Sequence, residues 1–234
     1  MTIKIKYQDN KPIFKVTNKN GIGEVLLYTD IGGWFGITSR EFIDEVSQLG
    51  NVKNVDLRIS SEGGDVVTAI DIFNAIRRHP ATWTAYIDGF ALSAASWIPL
   101  ATNKVVMADN AQMMIHRVQG VAIGNPEEVR KMADVWEDIE NTAIISAYRT
   151  KTGLTRGELI DMMDAETWMN AQTAFDYGFI DEISGAMDVA ACASLSGHYQ
   201  YRNAPKRLAN KPGKGNPNKQ KIVELKQTVK GVIS

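Results

Sequence analysis

Residues 54–64 read NVDLRISSEGG, and residues 65–80 continue as DVVTAIDIFNAIRRHP. In the first stretch Val55, Leu57 and Ile59 alternate with Asp56 and Arg58, the period-two pattern of a half-buried strand. Ser60 to Gly64 are turn formers and end the run. In the second stretch Val66, Ile70, Phe73 and Ile76 recur at helical spacing, so one side of a helix over about Val66–Arg78 is apolar, and Pro80 stops it. Strand, glycine turn and amphipathic helix in succession form the unit from which a layered α/β fold is built.

The unit recurs in both directions. Downstream, Thr82 to Ile87 reads as a strand, Gly89 as a turn, Ser93 to Ala101 as a short apolar helix and Lys104 to Met107 as a strand. Asp109 and Asn110 make a turn, and Gln112 to His116 is another strand. Upstream, Ile3, Ile5 and Tyr7 alternate with polar residues, and Ile13–Val16 and Glu24–Tyr28 are further runs. Thr38 and Glu41 have capping-box spacing ahead of a helix with Phe42, Val46 and Leu49 on one face. A long helix is expected from Asn125 or Pro126 to about Thr152, with Pro126 and two glutamates in its first turn and Gly153 at its end. Thr155 and Glu158 cap a shorter helix. Trp168–Asn170 and Phe179–Ile183 are extended pieces around a helix that ends at Gly178.

The chain divides into three regions: N-terminal strands in residues 1–20, a main domain in 21–201 and a basic, flexible tail in 202–234. The tail contains nine Lys or Arg against one acid, Glu224, together with three prolines, so docking onto an acidic partner or nucleic acid is the alternative to a solvated extension. Apolar residues at 44% and charged residues at 23% are a globular balance, and a net charge of -1 gives no global attraction to nucleic acid or acidic lipid. A single cysteine, Cys192, excludes an intrachain disulfide or a site of paired thiolates. The longest apolar stretch, Phe90 to Ala101, is broken by Ser93, Ser96 and Pro99 and falls short of the roughly 18 residues of a membrane span. The N-terminus lacks the apolar core of a signal peptide, so a cytoplasmic location is expected.

Chemistry-bearing residues are few. Of three histidines, His79 sits at a helix end, where a cation suits the dipole, and His198 lies near the tail. His116 ends the apolar run Met113–Ile115, where a side chain can face a cleft. Ser93 follows GFAL at a strand-to-helix junction whose free N–H groups lie near its hydroxyl, although the segment does not fit G-x-S-x-G. Gly63 and Gly64 stand at another such junction and leave backbone N–H groups unobstructed, as an oxyanion hole requires. Taken singly, each feature is also explained by packing or by a tight turn, and Ser96 reads as packing alone. The chain contains no G-x-x-x-x-G-K-[ST] loop.

Taken together, Ser61-Glu62-Gly63-Gly64-Asp65-Val66, Gly89 to Ser96, Met113 to His116, and Trp168-Met169-Asn170-Ala171 running into Tyr177-Gly178-Phe179-Ile180-Asp181 resemble the Clp protease proteolytic subunit family, especially its phage head-maturation branch, over about residues 20–186. The resemblance implies a ClpP/crotonase-like spiral of β-β-α units with a protruding handle helix beginning at Pro126, through which two rings meet. It implies a serine endopeptidase with Ser93 as nucleophile, His116 as base, and oxyanion donors at Gly63 or Gly64 and at Ala94. The acid position, an aspartate in the family, falls on Glu166, with Asp164 in reserve. No metal or cofactor is implied. The implied partners are unfolded or assembly-related polypeptide, further copies of the chain in a ring, capsid or scaffold proteins and a separate ATPase, with no membrane. A lysine base, for which Lys104 is the candidate, fits less well. Two other classes share the fold, a crotonase-type acyl-CoA enzyme and a non-catalytic shell or scaffold protein.

Overall fold

The computed structural model describes residues 13–33, 36–185, 201–205 and 208. β1 (Ile13–Lys19) pairs antiparallel with β2 (Ile22–Tyr28), so residues 13–19 form the outermost strand of the main sheet among the described residues. From β2 the sheet runs parallel through β3 (Asn54–Ser61), β4 (Thr82–Leu92) and β5 (Lys104–Ala108) to β8 (Glu182–Ser184). β6 (Gln112–Ile115) also lies parallel to β4, and β7 (Thr167–Asn170) lies antiparallel to β6. The Ile3–Tyr7 strand lies outside the described residues.

The alternation read in β3 holds: Val55, Leu57 and Ile59 are fully buried. They face α1 (Ser39–Ser47), which buries Phe42 and Val46, and α2 (Val66–Arg78), which buries Ala69, Ile72 and Ile76. Val66, Ile70 and Phe73 pack only partly against this core, so the apolar side of α2 is rotated from the one its largest residues suggest. Both helices start as their sequences direct. Thr38 and Glu41 form a reciprocal capping box, and the Asp65 carboxylate accepts the Thr68 N–H at 2.7 Å.

β4 departs from expectation in a way that builds the site. Gly89 is not a turn, because β4 continues to Leu92. Thr84–Ile87 pair with β5, while Phe90–Leu92 pair with Gln112–Met114 of β6. One strand therefore supplies two successive ladders, and the partners found at Phe90–Leu92 keep the chain extended beyond the glycine. Asp88, buried between the two ladders, is held by the Tyr28 hydroxyl and by Arg58 at 2.6 Å. The segment after β4 is two short 3-10 turns, Ser93–Ser96 and Ile98–Ala101, rather than one helix.

The long helix runs from Pro126 to Thr152 as α3 (Pro126–Ile139), a π turn (Glu140–Ile144) and α4 (Ile145–Thr152). Asn125 caps it in a box with Glu128, and Gly153, at φ 75°, closes it. α3 buries no residue, while α4 buries Ile145 and Tyr148. α5 (Arg156–Asp164) and α6 (Ala171–Asp176) flank β7, and the Phe179–Ile183 strand is realised only as the short β8. An eight-stranded mixed sheet with one long projecting helix is consistent with the expected ClpP fold. Among the described residues no helix is long and apolar enough to cross a membrane. The tail expectation is corrected at its start, since residues 202–205 and 208 include groups bonded to or packed on the domain. The remainder of the tail, Cys192 and His198 lie outside the described residues.

Candidate active site

Strand register brings the candidate residues together. In the parallel β4–β6 ladder Leu92 is level with Met114, so the residues just beyond both strands emerge at one edge of the sheet. Carboxyl ends of parallel strands are where α/β sheets place ligands and reacting groups. Ser93 Oγ and His116 Nε2 meet there at 2.7 Å, both side chains half-buried. In the antiparallel β6–β7 ladder Ile115 is level with Thr167, so the next pair outward is His116 and Glu166.

Ser93 has φ 53°, a left-handed backbone that costs a non-glycine residue about 1–2 kcal/mol. Two buried hydroxyls hold the turn. Ser96 Oγ donates to the Ser93 carbonyl at 2.5 Å and lies 2.6 Å from the Tyr148 hydroxyl. Ser96 is fully buried, and Tyr148, edge-on to Phe179, is nearly so. Burial pushes the Tyr148 hydroxyl far above the usual phenol range, so it remains protonated as a hydrogen-bonding group. Ser96 is thus more than packing. It links the Ser93 turn to α4.

The glycine turn lies against this one. A Cβ on Gly63 (φ 95°) would fall 2.5 Å from the Leu92 carbonyl oxygen and 2.9 Å from both Ala94 N and Ser93 Cβ. Only glycine permits that approach. A Cβ on Gly64 (φ 140°) would meet the Ile31 carbonyl oxygen at 2.1 Å. The Gly63 carbonyl accepts the Ile31 N–H at 2.8 Å, and the Ile31 carbonyl accepts the Asp65 N–H at 2.7 Å, which locks the turn. The Gly63 N–H donates to Ser61 Oγ at 3.1 Å, an acceptor that can rotate away. Ala94 lies in the first turn of the 3-10 helix, whose leading N–H groups lack an intrahelical acceptor.

His116 keeps its charge low. Burial lowers its proton affinity, the Glu166 carboxylate raises it, and the Arg202 guanidinium lowers it again, leaving it below the ordinary histidine value. With Nε2 accepting from Ser93, the neutral ring carries its proton on Nδ1. Nδ1 is buried and has no hydrogen-bond partner among the described residues.

Glu166 is buried, sits at φ 50°, and is spoken for elsewhere. Its carboxylate accepts the backbone N–H groups of Asn203 at 2.7 Å and Arg202 at 2.9 Å, and the Trp168 indole N–H at 3.2 Å. Burial raises its proton affinity, but these donors and the nearby imidazole more than offset that, so it is held below the usual glutamate range. Asp164 does not reach His116. It is exposed and paired with Arg117 at 3.2 Å. Arg117 also lies 2.7 Å from buried Glu140, whose other oxygen accepts the Val118 N–H at 2.9 Å. The π turn of the long helix thereby pins the loop that follows His116.

The other candidates lie apart. Lys104 is exposed and paired with Glu182. His79 ends α2 with its Nδ1 accepting the Ala81 N–H at 3.2 Å, and burial lowers its proton affinity, so it acts as an acceptor rather than as a cation on the dipole. Sequence reasoning missed Tyr148 and Glu140, took Ser96 as packing alone, and named Trp168 only as part of a motif. Helical spacing marks Ile144, Ile145 and Tyr148 as an inward face, but nothing in the sequence pairs Tyr148 with Ser96. Among the described residues no group of three or more His, Cys, Asp or Glu is placed to hold a metal ion.

A serine bonded to an imidazole at parallel strand ends, beside a glycine turn that only glycine can form, defines a mixed α/β protein of the serine–histidine type. Residues 41–187, well over half of the chain, match the family model described as Clp protease, and the chain belongs to that family. Identity to its relatives is distant. The ATP-dependent Clp protease proteolytic subunit 2 of Mycolicibacterium paratuberculosis is 25% identical over 137 residues, covering 56% of this chain and 66% of that protein. The proteolytic subunit of Chlorella vulgaris is 25% identical over 134 residues, with 56% and 66% covered. That of Streptococcus agalactiae is 28% identical over 137 residues, with 57% and 69% covered. The chain thus spans about two thirds of the length of the curated relatives it matches.

Proposed function

We propose that this chain is a serine endopeptidase in which Ser93 is the nucleophile, His116 the general base and Glu166 the acid that orients the imidazole. The 2.7 Å contact between Ser93 Oγ and His116 Nε2 carries this reading. His116 takes the hydroxyl proton as Ser93 Oγ attacks a peptide carbonyl. The resulting oxyanion is bound by the N–H of Ala94 and that of Gly63 or Gly64, which the close glycine approach holds beside the nucleophile. His116 then returns the proton to the leaving amine, and water releases the acyl group by the reverse sequence. The low proton affinity of the buried imidazole keeps it neutral, the form that can accept the serine proton.

The finer reading is a spiral of β-β-α units that forms rings through the long helix. Its substrates would be unfolded or extended polypeptides, fed by a separate ATPase or, in the phage head-maturation setting, drawn from capsid and scaffold precursors. The sequence motifs around Gly63, Ser93, His116 and Trp168 support it, and so do the relatives' names, which describe an ATP-dependent protease subunit. Labelling with a serine-directed fluorophosphonate followed by peptide mapping tests the central claim. The adduct is expected on Ser93 and is expected to vanish in Ser93→Ala. An adduct on another residue would remove Ser93 from the nucleophile's place, and no adduct together with CoA binding would overturn the peptidase reading in favour of an acyl-CoA enzyme.

A further inference from the structure

We infer that residues 201–205 together with Leu208 are an internal strap, seated in a peptide-binding groove beside the dyad, that holds the Glu166 carboxylate away from His116. The groove is built from the ends of β4, β6 and β7. Phe90, Leu92, Met114 and Trp168 form an apolar cluster separate from the main core, and Leu208 is buried in it. The Tyr201 ring stands edge-on to Trp168 at 5.3 Å, and its hydroxyl reaches the Glu62 carbonyl oxygen at 3.3 Å, next to the glycine turn. Between these anchors the backbone N–H groups of Arg202 and Asn203 both point at the Glu166 carboxylate. Asn203 Nδ2 donates to the Ala165 carbonyl at 2.7 Å, and Arg202 Nη2 to that of Asp164 at 3.1 Å. The ligand class of the groove is therefore an extended peptide that offers an aromatic ring, two successive N–H donors and a leucine.

The consequence lies at His116. In the tautomer whose Nε2 accepts from Ser93, its Nδ1–H is a buried donor without an acceptor among the described residues, a state that costs about 1–3 kcal/mol. The carboxylate one register position away would satisfy it, and its charge is already felt by the imidazole. Both oxygens of that carboxylate instead accept from the strap, and one of them also from Trp168. Strap and imidazole compete for one acid. When the strap leaves, rotation of the Glu166 side chain completes the Ser93–His116–Glu166 line without movement of the sheet. This inference rests on the reading of Glu166 as the acid.

The test uses the full chain carrying Asn203→Pro, which removes one N–H donor, and separately Leu208→Asp, which expels the apolar anchor. Two readouts are taken, the rate of fluorophosphonate labelling and the NMR signal of the proton on His116 Nδ1. Both variants are expected to label Ser93 about tenfold faster or more, given the orders of magnitude at stake in orienting a triad imidazole. The Nδ1 proton is expected to move downfield as it gains a carboxylate. Equal labelling rates and an unchanged proton signal in wild type and both variants would overturn the strap while leaving Ser93 and His116 in their roles. A downfield shift with no labelling in any protein would uphold the strap and defeat the peptidase reading. Should Asn203→Pro fail to fold, Leu208→Asp alone decides between these outcomes.

Discussion

Gly63 is the residue on which the Ser93 turn rests. Its missing side chain leaves room for Ser93 Cβ and Ala94 N at 2.9 Å, a distance no real Cβ tolerates. Gly63→Ala is therefore expected to fold with a displaced Ser93 turn and to lose labelling at that serine by about 100-fold or more, the scale of a lost oxyanion donor. Circular dichroism beside labelling kinetics would separate the two effects. Tyr148→Phe removes one hydroxyl from the Ser96 bridge and leaves a buried group short of a partner, at a cost of about 1 kcal/mol in denaturant midpoint analysis. At His116, the lowered proton affinity sets the direction of the pH response. The neutral, reactive ring persists to a pH below the ordinary histidine value, so the acid limb of the labelling rate should fall there. Because the unfolded chain binds that proton more readily, the contribution of this group to stability is full above the ordinary value and is lost as pH falls through the folded one. Arg202→Ala should move the acid limb upward, since the guanidinium lowers the proton affinity of the imidazole.

Among the elements, β4 and the long helix do the positioning. Because β4 carries two ladders in succession, its end stands level with the end of β6, and the serine and histidine follow from that register. The π turn rotates Glu140 inward to Arg117 and the Val118 N–H, and so anchors the chain immediately after His116. Glu140→Ala leaves these donors unmatched. It is expected to lower stability by about 1–3 kcal/mol, the range for a buried group losing its partner, since Arg117 remains partly hydrated. Labelling of Ser93 should slow as well, because the loop carrying the histidine is released. Unchanged kinetics in Glu140→Ala would show that β6 holds His116 without help from the helix.

At the scale of the molecule, α3 projects with no buried residue and exposes Val129, Met132 and Val135. Under the proposed ring assembly these apolar groups lie between copies of the chain, the role the resemblance implies for the handle. Met132→Asp combined with Val135→Asp is expected to lower the mass measured by analytical ultracentrifugation while leaving the thermal unfolding of the isolated subunit near its original value. A mass identical to wild type would remove the helix from the assembly interface.

Neighbouring residues alone dictate a good part of this architecture. The alternation of β3, the capping boxes at Thr38, Asn125 and Thr155, and the glycine ends at 153 and 178 are local preferences, and the structure keeps each of them. The motifs also carried the candidate pair Ser93 and His116, whose distance the fold then supplied. Gly89 misled because a residue that permits a turn does not require one, and the backbone partners that keep β4 extended come from β6, beyond any local window. Which carboxylate faces the histidine was open until the chain folded, because it depends on the β6–β7 register. Which hydroxyls brace the serine was open too, because Ser96 and Tyr148 lie on separate elements. The same holds for the occupancy of Glu166. Two backbone N–H groups have no signature in sequence, and where they point is settled only when the chain has closed on itself.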